Sequence, residues 1–355
     1  KVRQAGSRPL LSNDYGSQEL WGIPKKDQSL EEVEQLLLEQ VALIKQGQFE
    51  DWIIPAIVTD FKKSQKASLE NNESRVGAMR GAFLANQDWD YAIRSIKRIE
   101  KLTKNEVVAV ANKYFGDNYA VGYRIDAQHE LPQVAKPPID PIEVDPTRQS
   151  AFAASVMAIL VNEIKPVFIQ PDRDYQIVGY HPGVKLYHSK NPVNDLFTLT
   201  FSFDIGKLHN QKLGAAALLL DKSGTPQFSA PELKKEWYKL GSDFGLQAGD
   251  QSTSFTISGL DENFGQTLAL ALDLVKHSQV DQATLQKLIQ IILANREDAQ
   301  KNYRAVAQAM AEYNLYSDKS SMLRKISNEK ISQLTVPELT KTIADLLSYQ
   351  HTISY

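Results

Sequence analysis

The 355-residue sequence contains no cysteine, which excludes disulfides, thiolate metal sites and a cysteine nucleophile and leaves the compartment open. It has no long apolar run. The longest, such as Ala215 to Leu220, fall far short of the roughly 20 residues a membrane-spanning helix needs. It has no basic excess either: a net charge of −3 provides no field for nucleic acid or an anionic membrane. The glycine-containing segments 241–249 and 259–265 lack phosphate-loop spacing and a following Lys-Ser/Thr, so no nucleotide site is expected. Histidine is scarce. The six, His129, His181, His188, His209, His277 and His351, include no two within four residues of each other, so none form a local metal pair.

What is present is ordinary in composition and unusual in arrangement. The chain is 42% apolar and 23% charged, as expected of a globular protein long enough for two cored domains. It repeats itself at an offset of 232 residues. Leu102-Thr103-Lys104-Asn105-Glu106, an apolar helix and Asn118-Tyr119-Ala120-Val121-Gly122-Tyr123 recur as Leu334-Thr335-Val336-Pro337-Glu338, a second apolar helix and Gln350-His351-Thr352-Ile353-Ser354-Tyr355. A period this long fits two copies of one globular domain, not a solenoid. The stretch equivalent to residues 176–232 has no counterpart in the first copy, so the first copy is expected to be truncated and the chain to be a fragment.

Along the chain, Gln18 to Ile23 reads as a strand. Ser29-Leu30-Glu31-Glu32 reads as a helix cap, behind which Val33, Leu36, Leu37, Val41 and Ile44 fall at helical spacing. Helices are expected from Asp51, across Ser74 to Leu84, and after the Thr103 cap, with a returning strand over Tyr119 to Ile125. Seven of the 15 prolines lie between Ala127 and Tyr175, the composition of a stiff connector, with a short helix expected within Ser150 to Leu160. Next come strands at Gly183 to Ser189 and Leu196 to Leu208, the latter alternating apolar and polar residues, and a buried helix at Leu213 to Leu220. A Ser229-capped helix ends at Gly241. Strands at Asp243 to Ala248 and Ser252 to Leu260 follow, then helices at Asn263 to Lys276 and from Gln282 past Arg304. Strands followed by runs of helices imply an α+β fold, each domain a mainly antiparallel sheet with helices on one face.

Leu220-Asp221-Lys222-Ser223-Gly224-Thr225 after an apolar helix, then a capped helix with Glu232-Leu233 and Leu240-Gly241, resembles the pitrilysin/insulinase family of zinc metallopeptidases, the inverzincins. Leu20-Trp21-Gly22-Ile23-Pro24-Lys25, Phe49-Glu50-Asp51-Trp52, Val110-Ala111-Asn112-Lys113-Tyr114-Phe115 and His351-Thr352-Ile353-Ser354-Tyr355 are similar to further family segments. The resemblance implies a truncated second domain over 1–126, an interhalf linker over 127–175 and a non-catalytic third domain over 176–355, parts of a chamber that closes around a peptide.

The family's zinc site needs H-x-x-E-H on one helix, two imidazoles at i and i+4 with a glutamate as general base. No H-x-x-E-H occurs here. Counting back from Gly224-Thr225, its three positions fall on Ala215, Leu218 and Leu219, whose hydrocarbon side chains cannot bind metal. No catalytic residue and no cofactor are therefore expected in this chain, with zinc expected only in a parent protein. Glu297 lies roughly where a third zinc ligand would be sought, and reads instead as part of a charged helix face. So do Glu31, Glu32 and Glu34. His129-Glu130 reads as a solvated dipeptide, and Trp21, Trp52, Trp89 and Trp237 as packing residues.

The implied partners are peptide or unfolded segments and the remaining domains of the parent. Candidate edge strands for backbone pairing with peptide are Asp243–Ala248 and Ser252–Leu260. The compartment stays open, with a bacterial periplasm or envelope the working assumption. The alternatives are a catalytically dead family member acting as a binding or assembly subunit, and an unrelated two-domain α+β binding protein.

Overall fold

The computed structural model describes residues 1–25, 27–125, 135–141 and 145–355. Residues 1–116 and 171–355 form one compact unit and residues 117–170 a second.

The first unit opens with an antiparallel ribbon of β1 (Gln4–Leu11) and β2 (Gly16–Ile23). Its helices are α1 (Leu30–Lys45), α2 (Ile53–Ser68), α3 (Asn72–Leu84), the short α4 (Trp89–Ile93) and α5 (Ser95–Ile99), and α6 (Lys104–Tyr114). Ser29 Oγ accepts from the Glu32 amide at 3.0 Å and starts α1. The Gly22 α-carbon meets Val33 so closely that a β-carbon there would come within 2.5 Å of Val33 Cγ1, which seats α1 on the ribbon.

The second unit contains α7 (Ala151–Met157), started by Ser150 Oγ accepting from the Ala153 amide. The expected strand over Tyr119 to Ile125 does not form: 119–125 carries no regular structure. Its repeat partner, β8 below, has a hydrogen-bonded strand on each side.

Returning to the first unit, β3 (Gln176–His181), β4 (Val184–His188), β5 (Leu196–Phe203), β6 (Asp243–Ala248), β7 (Thr253–Leu260) and β8 (His351–Ser354) make a six-stranded sheet in the order β3-β4-β8-β5-β7-β6. Every pairing is antiparallel except β4 with β8. The intervening helices are α8 (Leu213–Leu220), α9 (Ala230–Leu240), α10 (Phe264–His277), α11 (Gln282–Lys301), α12 (Tyr303–Tyr316), α13 (Asn328–Ser332) and α14 (Val336–Ala344). The architecture is mixed α+β. Phe197, Leu199, Phe201 and Phe203 of β5 and Phe255 and Ile257 of β7 join Leu219, Ala271, Leu274, Leu285 and Leu339 from the helices in one buried core. The alternate residues turn to the other face, where Thr200 and Thr256 hydrogen-bond at 3.0 Å. Among the described residues no helix is long and apolar enough to cross a membrane.

The two threonine caps that lie 232 residues apart share one geometry. Thr103 and Thr335 each accept from the amide three residues on, and Glu106 and Glu338 each return to the threonine amide, at 2.8 and 3.0 Å. Two further expectations are corrected. The helix expected to run from Gln282 past Arg304 breaks at Asn302, whose extended backbone and side-chain bonds to the Arg304 and Ala305 amides start α12 afresh. The strand expected over Leu196 to Leu208 ends at Phe203, because Lys207 and Leu208 instead donate to the carbonyls of Gly249 and Asp250.

Candidate functional site

The site is built around the outer edge of β6. Of the two strands put forward as edges, β7 lies between β5 and β6 and is not one; β6 ends the sheet. The register runs from Asp243 opposite Ser258 to Ala248 opposite Thr253, and the Gly249 amide donates to Ser252 O at 2.8 Å. Antiparallel pairs alternate between hydrogen-bonded and non-bonded. Residues 243, 245, 247 and 249 therefore bond to β7. The amides and carbonyls of Phe244, Leu246 and Ala248 point outward from the sheet.

Alongside this edge lies a cleft of about 940 Å³ between β6, α8, α11 and the 321–326 segment. Local sequence explains its walls. Gly206 lets the loop after β5 approach the β6–β7 hairpin, since a β-carbon there would fall 2.5 Å from Asp250 O. Thr253 Oγ1 donates to Ile205 O at 2.7 Å, fixing the same corner. At the far end of α8, a β-carbon on Gly224 would sit 2.3 Å from Phe228 O, and Gly224 and Gln279 exchange backbone hydrogen bonds at 2.8 and 2.9 Å. The glycine of the Gly224-Thr225 signature is thus required by close backbone approach.

Ala215 and Leu218, two of the three positions onto which the resemblance would place the zinc motif, line this cleft. Leu218 is exposed, whereas Leu219 is buried in the core. Leu288, Ile291 and Ile292 of α11 supply further apolar lining. A methyl and an isobutyl group offer no lone pair, so the residues present do not fit a zinc ion. Among the described residues no group of three or more metal-ligating side chains is assembled. Glu297 pairs with Lys301 at 2.7 Å and is not among the cleft residues.

Charged groups rim the cleft. Lys207 bonds Asp250 at 3.1 Å and Lys222 bonds Asp221 at 2.5 Å. The Lys207 ammonium holds the Asp250 carboxyl below its ordinary value, helped by the Ser321 hydroxyl and the Lys325 charge. Arg296 Nη1 donates to Ile326 O at 2.9 Å and Asn328 Oδ1 at 2.7 Å, and burial lowers its pKa. Sequence reasoning missed Arg296, Arg324 and Lys325 because they lie 75 or more positions from α8 and no local pattern links them to it.

The histidines are placed structurally. His188 stacks on Tyr355, His351 leans on Phe201 and Phe203, His277 bonds Asp273 at 2.8 Å, and His209 Nδ1 accepts from the Gly206 amide. His181 ends β3. His129 and Glu130 lie outside the described residues. Trp237 stacks on Phe244 of the edge strand, and Trp52 meets Tyr238 edge-on. Trp21 covers Gly6, and Trp89 opens α4.

No family model matches the chain, and no curated protein matches it. Solved structures do. An inactive domain of peptidase M16 from Pseudomonas fluorescens is 18% identical over 51% of this chain and 45% of that one, with a TM-score of 0.44. A protease from Helicobacter pylori is 13% identical over 51% and 45%, at 0.43. The first half of the periplasmic protease PqqL from Escherichia coli is 13% identical over 52% and 42%, at 0.42. The chain spans less than half the length of each.

Proposed function

We propose that this chain is a non-catalytic inner segment of a zinc metalloendopeptidase of the pitrilysin/insulinase type. In this reading 1–126 and 176–355 are two copies of one domain, the first truncated, joined by the 127–175 connector. Together they supply chamber wall and hinge. The zinc, the attacking water and the general base belong to another domain of the parent protein, which hydrolyses peptide bonds. The copy over 176–355 keeps the cleft but replaces the metal-binding positions with hydrocarbon, and β6 receives extended polypeptide by backbone pairing.

The observation that carries this reading is the coincidence of two features reached independently. Ala215 and Leu218, located by counting from Gly224-Thr225, line the cleft that runs beside the outward amides of Phe244, Leu246 and Ala248. An exposed edge with alternating free donors and acceptors recognises peptide backbone with little regard to sequence, as a chamber serving many segments requires.

The test is to mix the purified chain with a fluorogenic unfolded peptide. The expected result is no hydrolysis, with or without chelator, but a rise in fluorescence anisotropy. That rise should weaken at least fivefold in Ala248→Pro, which removes one outward amide and none of the bonds to β7. Chelator-sensitive cleavage by this chain overturns the division of labour. Unchanged binding by a folded Ala248→Pro variant overturns the role of β6.

A further inference from the structure

We propose that the cleft beside β6 selects extended peptide segments that carry carboxylates. This rests on β6 as a peptide-docking edge and adds to it the class of segment favoured.

The argument is one of unmatched charge. The two acidic residues lining the cleft, Asp221 and Asp250, are each engaged by a lysine. Three cations make no ion pair, Lys325 acting on Asp250 only at longer range. Arg296 donates to two neutral oxygens, Arg324 Nη2 reaches Leu208 O at 3.4 Å, and Lys325 Nζ rests 2.8 Å from Met322 Sδ. Among the described residues no carboxylate lies within ion-pair distance of these three. Glu312, the nearby acid, is held by Ser320 Oγ at 3.0 Å and the Ser321 amide at 2.6 Å. The whole chain carries a net charge of −3, so the positive rim is local and opposite to the molecule's overall sign. Partial burial of Arg296 without an anion raises the value of a ligand that brings one.

The geometry also favours a polypeptide over another polyanion. The outward groups at Phe244, Leu246 and Ala248 alternate N–H donors with C=O acceptors, and a peptide backbone satisfies both. A phosphodiester chain has no backbone donor for the carbonyls. The apolar lining from Leu218, Ile291 and Ile292 suits a strand whose alternate side chains are apolar and whose intervening ones are acidic.

The experiment uses the full chain and two end-capped eight-residue peptides, alternating valine with glutamate or valine with glutamine, titrated by calorimetry. The glutamate peptide is expected to bind about fivefold tighter at low salt, with the gap closing at about 0.5 M salt as exposed charges are screened. Arg324→Gln combined with Lys325→Gln should abolish the difference between the two peptides. The single Lys325→Gln variant should narrow the gap if the double variant does not fold. Equal binding of both peptides overturns the charge selection and leaves the docking edge standing. Failure of both peptides to bind overturns the two together. Tighter binding of a ten-residue thymidine oligonucleotide than of the glutamate peptide also overturns the proposal.

Discussion

Lys63 Nζ, on α2, lies 2.8 Å from the carboxylate of Asp243, the first residue of β6. α2 is thereby tied to the strand that borders the cleft. Neighbouring lysines make parallel ties. Lys62 reaches Glu262 at 3.5 Å and Lys66 bonds Asp195, while Lys235 returns from α9 to Glu50 at 3.0 Å.

These ties are exposed enough to be individually weak, about 0.2–1 kcal/mol each. Replacing Lys62, Lys63 and Lys66 together by alanine should lower stability by about 1–2 kcal/mol in urea denaturation. The deficit relative to wild type should shrink in about 0.5 M salt, where the charges are screened. A deficit that persists unchanged in salt would mean that the lysine stems, not the charges, hold this contact.

Gly241 ends α9 at φ +58°, and a β-carbon there would lie 2.6 Å from Thr59 Cγ2. Gly241→Ala meets both a left-handed backbone and a steric clash, and should cost about 1–3 kcal/mol. Adding Thr59→Ser removes the methyl and should recover only the clash. Full recovery in the double variant would show that the backbone conformation costs nothing.

Glu338 accepts from Lys212 at 2.9 Å and closes the α14 capping box, which lowers its pKa from the ordinary 4.5 to about 2. The lowered value means that its contribution is complete above pH 4.5 and is lost as pH falls from 4.5 toward 2. Thermal midpoints of wild type and Glu338→Gln should therefore differ most near neutrality and converge in acid. A difference that is constant with pH would remove the ionised carboxylate from the account.

Much of this was legible from local sequence, and the exceptions have a common cause. Val33 and its helical companions, the Thr103 and Thr335 caps and the alternating β5 all announce themselves within a few residues, and all form. Tyr119 to Ile125 alternates as well as β8 does, but a strand also needs neighbours, and those are set by residues far away. The same holds for β6 and β7, equally strand-like in sequence and distinguishable as edge and interior only once β5 is paired. Asn302 inside an otherwise helical run is itself a local signal, since its side chain caps α12. At the site, Ala215 and Leu218 could be found by counting from Gly224-Thr225. The rim of Arg296, Arg324 and Lys325 reaches them only through the tertiary fold.

The most direct test is residue-resolved amide exchange on β6, with and without an unfolded peptide. In the free chain the amides of Phe244, Leu246 and Ala248 should exchange fast while those of Gly245 and Gln247, bonded to β7, exchange slowly. Peptide should slow the first set alone. Protection that appears at Gly245 and Gln247 instead, or nowhere on β6, would contradict the account.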